Sequence, residues 1–420
     1  MAKRFVVLLI IFVSLRLLLS VAPTGRDIVG TPPSPVAWLL GYLTGPPTLF
    51  LAFEKESTGE YKSRRDRLAA RIKGNALVLR AAPDKELTKY QQEENFYYLT
   101  GFDQPEAILV LDAASDPAKE FLFLPERKPA EERWTGPKMG PGHEAEKATG
   151  FANVLAASDF DSTLKKISEH AKTVLELKDV EKDIAYLRQV KSPGEVALLE
   201  KAIQITLKAE RAAARTIAPG VMEYEVQAAL EYEFTRNGAE RPGFPSIVGS
   251  GPFSTILHYN ENSRKMQSGD VIVVDIGAEY GGYSADVTRT YPVSGKFSRR
   301  QREIYQIVLD AQRAAIEKVR PGARISDLHN AAMSYIRSKG YEKYFTHGTS
   351  HHIGLEVHDV GDTSRPFEPN MVITAEPGIY IPEEQIGVRI EDDVLVTPEG
   401  HRVLSNFPKD ISAIEALMKR

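Results

Sequence analysis

A segment of helix-forming residues occurs twice in the second half of this chain, at a constant offset of 102 positions. Ala209-Glu210-Arg211-Ala212-Ala213 matches Ala311-Gln312-Arg313-Ala314-Ala315, and Pro219-Gly220 matches Pro321-Gly322. Ala229 and Gly238 fall on Ala331 and Gly340 without a gap. Each copy reads as a helix, a Pro-Gly break and a second helix. A lone helix pair cannot bury its apolar face, so two copies predict two related halves sharing one core. Helices are rich in alanine, so these few identities gain weight only from the segments C-terminal to each copy.

Each of those segments is a β-hairpin signature that carries acids. After the first copy come Val271-Ile272-Val273-Val274-Asp275 and Asp286-Val287-Thr288-Arg289-Thr290-Tyr291, on either side of Tyr280-Gly281-Gly282. Strand formers flanking a glycine turn predict a hairpin. A turn centred near Tyr280-Gly281 sets Asp275 directly opposite Asp286. After the second copy, residues 371–381 and 387–396 flank Pro382-Glu383-Glu384-Gln385. A turn centred near Glu383-Glu384 sets Glu376 opposite Glu391. Cross-strand partners have Cβ atoms about 5 Å apart. Two like charges that close, among valines and isoleucines, require a cation or a proton between them.

Histidines join the acids. Four of the nine in the 420-residue chain, His347, His351, His352 and His358, lie within twelve positions. Four carboxylates and an imidazole suit two divalent metals, and oxygen-rich ligands favour manganese, with cobalt, zinc or iron as alternatives. Two dications offset four carboxylate charges and activate water for hydrolysis. Cysteine is absent, which excludes disulfides, thiolate zinc sites and a cysteine nucleophile. A formal charge of −4 supplies no basic excess for a nucleic-acid partner.

Residues 53–188 read as an α/β domain, with a helix over 61–72 and strands over 76–80, 107–111 and 120–124. Its loop 132–137 holds Trp134, either ordinary surface or an interface. Ser192, Pro193 and Glu195 form a capping box that opens a long helix, with an apolar stripe at Leu198, Leu199, Ala202, Ile203 and Leu207, so the catalytic domain is placed at 189–420. Residues 1–52 read as an export leader. Lys3-Arg4 precede an apolar run over 5–15, and Ser20 and Ala22 are small, although Pro23 is a poor context for cleavage. Neither this run nor the patches at 36–43 and 48–53 reach the ~20 uninterrupted apolar residues of a membrane span. The protein is thus expected to be exported, periplasmic or secreted, either released or anchored to the membrane by an uncleaved N-terminal segment.

Five motifs taken in order resemble the aminopeptidase P and prolidase family of metallopeptidases. They are Ile256-Leu257-His258-Tyr259, the Asp275/Asp286 hairpin, His347-Gly348-Thr349-Ser350-His351 with Val357-His358-Asp359, Thr374-Ala375-Glu376-Pro377-Gly378, and Arg389-Ile390-Glu391-Asp392-Asp393. The segment 98–107 resembles the family's N-terminal domain, and the likeness spans about residues 58–412. It implies an α/β N-terminal domain followed by an α+β "pita-bread" catalytic domain with a pseudo-twofold internal repeat. It implies metal ligands at Asp275, Asp286, His351, Glu376 and Glu391. Asp286 and Glu391 would bridge, Asp275 would bind one metal, and His351 with Glu376 the other. His258 and His358 match residues that contact substrate and stabilise the tetrahedral intermediate, and His347 a residue by the prolyl pocket. Arg389 matches an arginine paired with a site carboxylate, with a purely structural salt bridge as its other reading. Glu376 serves as proton shuttle besides being a ligand. His352 is read as a supporting residue, and His143, His170, His329 and His401 stand outside every motif.

The implied reaction releases the N-terminal residue from peptides with proline at the second position, by metal-activated hydroxide attack. The free substrate amine would ligate one metal. A homo-oligomer is implied as well. A prolidase confined to Xaa-Pro dipeptides uses the same cage and is the closest alternative. A methionine aminopeptidase lacks the N-terminal domain, and a non-catalytic binding protein on this fold would have no reason to fill all five ligand positions.

Overall fold

In the computed structural model, residues 54–85 and 87–419 are described; the leader read over 1–52 lies outside the described residues. Helix α1 (Thr58–Arg71) is capped by Ser57 and buries Tyr61, Leu68 and Ala69. Beneath it lies a five-stranded sheet of β1 (Ala76–Arg80), β2 (Ile108–Asp112), β3 (Lys119–Leu124), β4 (Val154–Ala156) and β5 (Val174–Leu175), in the order β4-β3-β2-β1-β5. The central three run antiparallel and the two edge strands parallel to their neighbours. The three expected strands are all present, within one residue of the expected bounds. Central β2 is buried on both faces, which is why it reads as an unbroken apolar run.

Helix α2 (Leu177–Gln189) leads through a three-residue connector into α3 (Pro193–Thr216). The capping box is formed: Ser192 Oγ accepts from the Glu195 N–H at 3.1 Å, and Glu195 Oε2 accepts from the Ser192 N–H at 2.8 Å. Leu198, Leu199, Ala202 and Ile203 face the core, while Leu207 at the end of the stripe is half-buried.

The internal repeat is visible in the backbone. Helix α4 (Glu223–Arg236) and α6 (Ile325–Ser338) coincide at both ends under the 102-residue shift, and each packs on its preceding helix, α3 or α5 (Arg299–Ile316). Gly220 and Gly322 sit at φ +88° and +85°, and Gly238 and Gly340 at +88° and +84°. Such conformations are costly for residues with a Cβ, so the matched glycines mark matched turns.

Strands β6 (Ile247–Ser250), β7 (Val271–Ile276), β8 (Ala278–Tyr280), β9 (Tyr283–Ser284) and β10 (Val287–Pro292) belong to the first half. Strands β11 (Val372–Ala375), β12 (Gly378–Ile381), β13 (Ile386–Arg389), β14 (Asp392–Thr397) and β15 (Gly400–Val403) belong to the second. They form sheets β6-β7-β10, β11-β14-β15 and β12-β13, while β8 and β9 continue the first hairpin to its turn.

The register of the second hairpin is as expected: Ala375 pairs with Asp392 and Gly378 with Arg389, which sets Glu376 across from Glu391. The first hairpin is a correction. Asp275 pairs with Thr288, and Tyr280 with Tyr283, so the turn is centred on Gly281-Gly282, not on Tyr280-Gly281. Both glycines have positive φ, +60° and +82°, as a tight hairpin turn demands and tyrosine resists. Asp286 therefore stands across from Gly277, diagonal to Asp275. A slip of two residues keeps side-chain parity, so both aspartates still share a face.

Candidate metal centre

The two hairpins open at their acidic residues. Glu376 and Glu391 face one another but do not bond: the Glu376 N–H donates to Thr349 O at 2.8 Å, and the Glu391 N–H to Thr288 O at 3.1 Å. The second bond stitches one hairpin to the other. Gly277 performs a similar service in the first hairpin, where a Cβ would stand 1.7 Å from Ala285 O. Only glycine lets the strands approach this closely beside Asp286.

All nine residues expected at the site line one cleft of about 540 Å³: His258, Asp275, Asp286, His347, His351, His358, Glu376, Arg389 and Glu391. Ligand atoms of Asp286, His351 and Glu391 lie within 4.8 Å of one another. His351 Nε2 stands 3.4 Å from Asp286 Oδ2 and 3.5 Å from Glu376 Oε1. His351 Nδ1 donates to His352 O at 3.0 Å, an assignment that leaves the Nε2 lone pair facing the carboxylates. Burial pushes this imidazole down to about pH 4, so it is neutral and able to ligate.

Among the described residues, two of the four acids are held by one oxygen and free at the other. Thr288 Oγ1 donates to Glu391 Oε2 at 2.7 Å, while Glu391 Oε1 has no partner. Arg389 Nη2 pairs with Asp275 Oδ2, while Asp275 Oδ1 has none. Asp286 Oδ1 is likewise unpartnered. Buried polar atoms without partners are rare, and three on adjacent carboxylates mark a place for a shared cation. Burial first, then Asp275, pushes the Glu391 carboxyl up to about 8. Burial and then Glu391 raise Asp286 and Glu376 well above the carboxylate range, Arg389 working the other way on Glu376. A site that resists its own negative charge this strongly fits divalent cations.

Around this group runs a chain of polar contacts. Arg389 Nη1 donates to the Tyr380 hydroxyl at 2.9 Å, and that oxygen lies 2.9 Å from His347 Nε2. His347 Nδ1 donates to Gly348 O at 2.6 Å, so the Tyr380 hydroxyl donates to Nε2. Burial, then Arg389, pushes His347 down to about 4 and keeps it neutral. Phe244, Pro245, Ile247, Leu257 and Val357 give the same cleft an apolar lining, and His258 and His358 stand exposed at it.

His352 is buried, outside the cleft, with Nε2 3.0 Å from Gln189 Nε2. His329 supports the segment from behind, Nδ1 3.0 Å from Thr349 Oγ1. His143 is exposed beside Glu146, His170 lies 3.2 Å from the buried Asp112 carboxylate, and His401 reaches Val319 O. Thr288 and Tyr380 are site residues that the sequence did not reveal. Their signal was alternation: Thr288 is two residues after Asp286, and Tyr380 four after Glu376, spacings that keep a strand residue on one face.

Comparison with known proteins agrees with this geometry. The model of metallopeptidase family M24 matches residues 197–398, and that of the aminopeptidase P N-terminal domain matches 61–175. A Haemophilus influenzae Xaa-Pro aminopeptidase is 36% identical, the alignment covering 86% of this chain and 97% of the relative. A Pyrococcus furiosus Xaa-Pro dipeptidase is 41% identical but aligns with only 57% of this chain and 69% of its own length. The structure of zinc-substituted Escherichia coli aminopeptidase P in complex with product superposes with a TM-score of 0.81 at 33% identity, covering 87% of this chain and 99% of that one. With both domains matched and near-complete coverage by an aminopeptidase, the chain belongs to the Xaa-Pro aminopeptidase (aminopeptidase P) family of M24 metallopeptidases.

Proposed function

We propose that this metallo-aminopeptidase releases the N-terminal residue from peptides with proline at the second position, with two divalent cations held by Asp275, Asp286, His351, Glu376 and Glu391. Manganese is the first candidate, followed by cobalt, zinc and iron, because four of the five ligands are carboxylates. The observation that carries the proposal is the set of three orphaned carboxylate oxygens in the cleft that His351 also lines, with the Nδ1 contact to His352 O leaving its Nε2 free to ligate. When bound, the cations supply Lewis acidity and activate water near neutral pH.

The chain's own residues then divide the work. Glu376, its proton affinity raised by its surroundings, takes a proton from the attacking water and passes it to the prolyl nitrogen as the C–N bond breaks. His258 and His358 donate to the oxygen on which charge develops. Arg389 holds Asp275 in place and, through Tyr380, orients His347 toward the ring of the second residue. The apolar lining accepts that ring and excludes water.

A homo-oligomer belongs to the same proposal, supported by Trp134, 90% exposed on the short helix Glu132–Thr135. So does export, supported by the basic and apolar start of the sequence. Among the described residues no helix is long and apolar enough to cross a membrane.

A peptide panel tests the activity. With manganese added, the protein is expected to cleave Xaa-Pro-Xaa tripeptides at least as well as Xaa-Pro dipeptides and to leave Xaa-Ala-Xaa almost untouched. Cleavage of dipeptides alone would establish the prolidase reading instead.

A further inference from the structure

Two buried cations at the junction of the two sheet systems converge on one carboxylate beside the cleft. Arg188, the penultimate residue of α2, and Lys191, in the connector, each have side chains 1% exposed. Arg188 Nη2 pairs with Asp359 Oδ1, and Lys191 Nζ with Asp359 Oδ2 at 3.0 Å. Arg188 Nη2 also donates to Glu356 Oε2 at 2.9 Å and Nη1 to Asn95 Oδ1 at 2.8 Å, while Nε has no partner among the described residues. Burial alone would raise the Asp359 carboxyl; Lys191 and Arg188 outweigh it and hold the group below its ordinary range. Room for the carboxylate depends on Gly354, where a Cβ would stand 2.2 Å from Asp359 Oδ2.

Asp359 is the residue after His358. Its N–H donates to His352 O at 2.9 Å, the same oxygen that receives the proton of His351 Nδ1. The rings of His351 and His358 meet edge to face, 4.4 Å between centroids. Between the two arms of the clamp, Gln189 Nε2 reaches His352 Nε2 and Asp362 O. Three of the four residues 188–191 therefore fasten one loop, and the loop carries two histidines of the cleft. Bringing two cations and a carboxylate out of water is costly unless geometry is good, so such a cluster is weak evidence of stabilisation, while the bonds just named hold the Asp359 carboxylate in one place.

We propose that Arg188 and Lys191 are positioning residues for the peptidase reaction: acting through Asp359, they aim the His358 imidazole at the substrate without contributing to metal binding. The proposal rests on the peptidase function and extends it by giving the connector a part in turnover. An imidazole misplaced by about 1 Å costs up to about 100-fold in rate.

The test is a double-mutant cycle on the manganese-loaded enzyme with an Xaa-Pro-Xaa peptide. Lys191→Met keeps the apolar stem and removes one arm; Arg188→Lys keeps the charge and removes the fork. Each is expected to bind metal with unchanged stoichiometry and to lose about 10- to 100-fold in kcat/KM, chiefly in kcat. In a His358→Ala background the same changes are expected to cost less than about twofold, because the residue they serve is gone. An equal loss in both backgrounds, or no loss in wild type, overturns the proposal. A readout independent of turnover accompanies it: with ¹³C-labelled histidine, the His358 ring resonance is expected to shift and broaden in Lys191→Met while that of His258 does not move. Unchanged His358 resonances overturn the inference, whereas a wild-type enzyme inactive on every peptide, with those resonances shifted, counts against the peptidase function and leaves the positioning role standing.

Discussion

Glu391 offers one oxygen to Thr288 and keeps the other without a partner, and that asymmetry recurs at Asp275 with Arg389. A held carboxylate presents its free oxygen in one direction, which raises metal affinity by removing the entropy of ligand rotation. Thr288→Val keeps the shape and deletes the donor, so metal affinity measured by calorimetry is expected to fall about 10- to 100-fold. Asp286→Ala or Glu391→Ala removes a proposed ligand outright, and activity is expected to drop to background. Substantial turnover in either variant would refute the ligand assignment. At this scale the residues rich in chemistry were legible, because histidines and carboxylates are conspicuous by type. Thr288 and Tyr380 were not, since a threonine at 288 meets a glutamate at 391 only after two hairpins have closed on each other.

Hairpins and helix caps show where element-level reading succeeds. Ser192, Pro193 and Glu195 act within four residues, and their capping box is formed as the sequence predicts. Ser192→Ala is expected to cost about 1 kcal/mol, read as a lowered Tm with metal stoichiometry unchanged. The second hairpin has Pro382 and Gln385 to pin its turn, and its register is as expected. The first offers Tyr280, Gly281 and Gly282 as turn residues, and a turn centred one position early shifts the cross-strand register by two. What decides the register is the positive φ required at both turn positions, which two glycines meet and a tyrosine does not. Gly277→Ala is expected to cost about 1–3 kcal/mol, since the added methyl meets backbone at 1.7 Å and neither strand can yield alone. The measurement is urea unfolding, and a variant as stable as wild type would contradict the close approach.

The whole molecule brings together segments that the sequence keeps far apart. Arg188 and Asp359 are separated by 171 positions, so the contribution of the first half to the cleft was not legible there, although both domains were. The 102-residue echo was legible, because a repeat is a statement about the whole fold made in local terms. Electrostatics act at this scale too. The Glu391 carboxyl, ordinarily near 4.5, is pushed up to about 8, and Asp286 and Glu376 move the same way. A carboxyl with a raised folded-state value stabilises the protein below its unfolded value, and that contribution is lost as pH rises through the folded one. Metal-free protein is therefore expected to lose Tm between about pH 5 and 8, and added manganese to abolish the decline, because cations take the place of the protons.

The most direct measurement is to strip the protein of metal, return manganese stepwise, and follow both bound metal and release of the N-terminal residue from an Xaa-Pro-Xaa peptide. Activity is expected to be absent in the stripped protein, to rise with metal to a limit of two ions per chain, and to stay absent in Glu391→Ala at every concentration. Cleavage that survives full removal of metal, or wild-type protein that binds no divalent cation, would contradict a catalytic metal centre in this cleft.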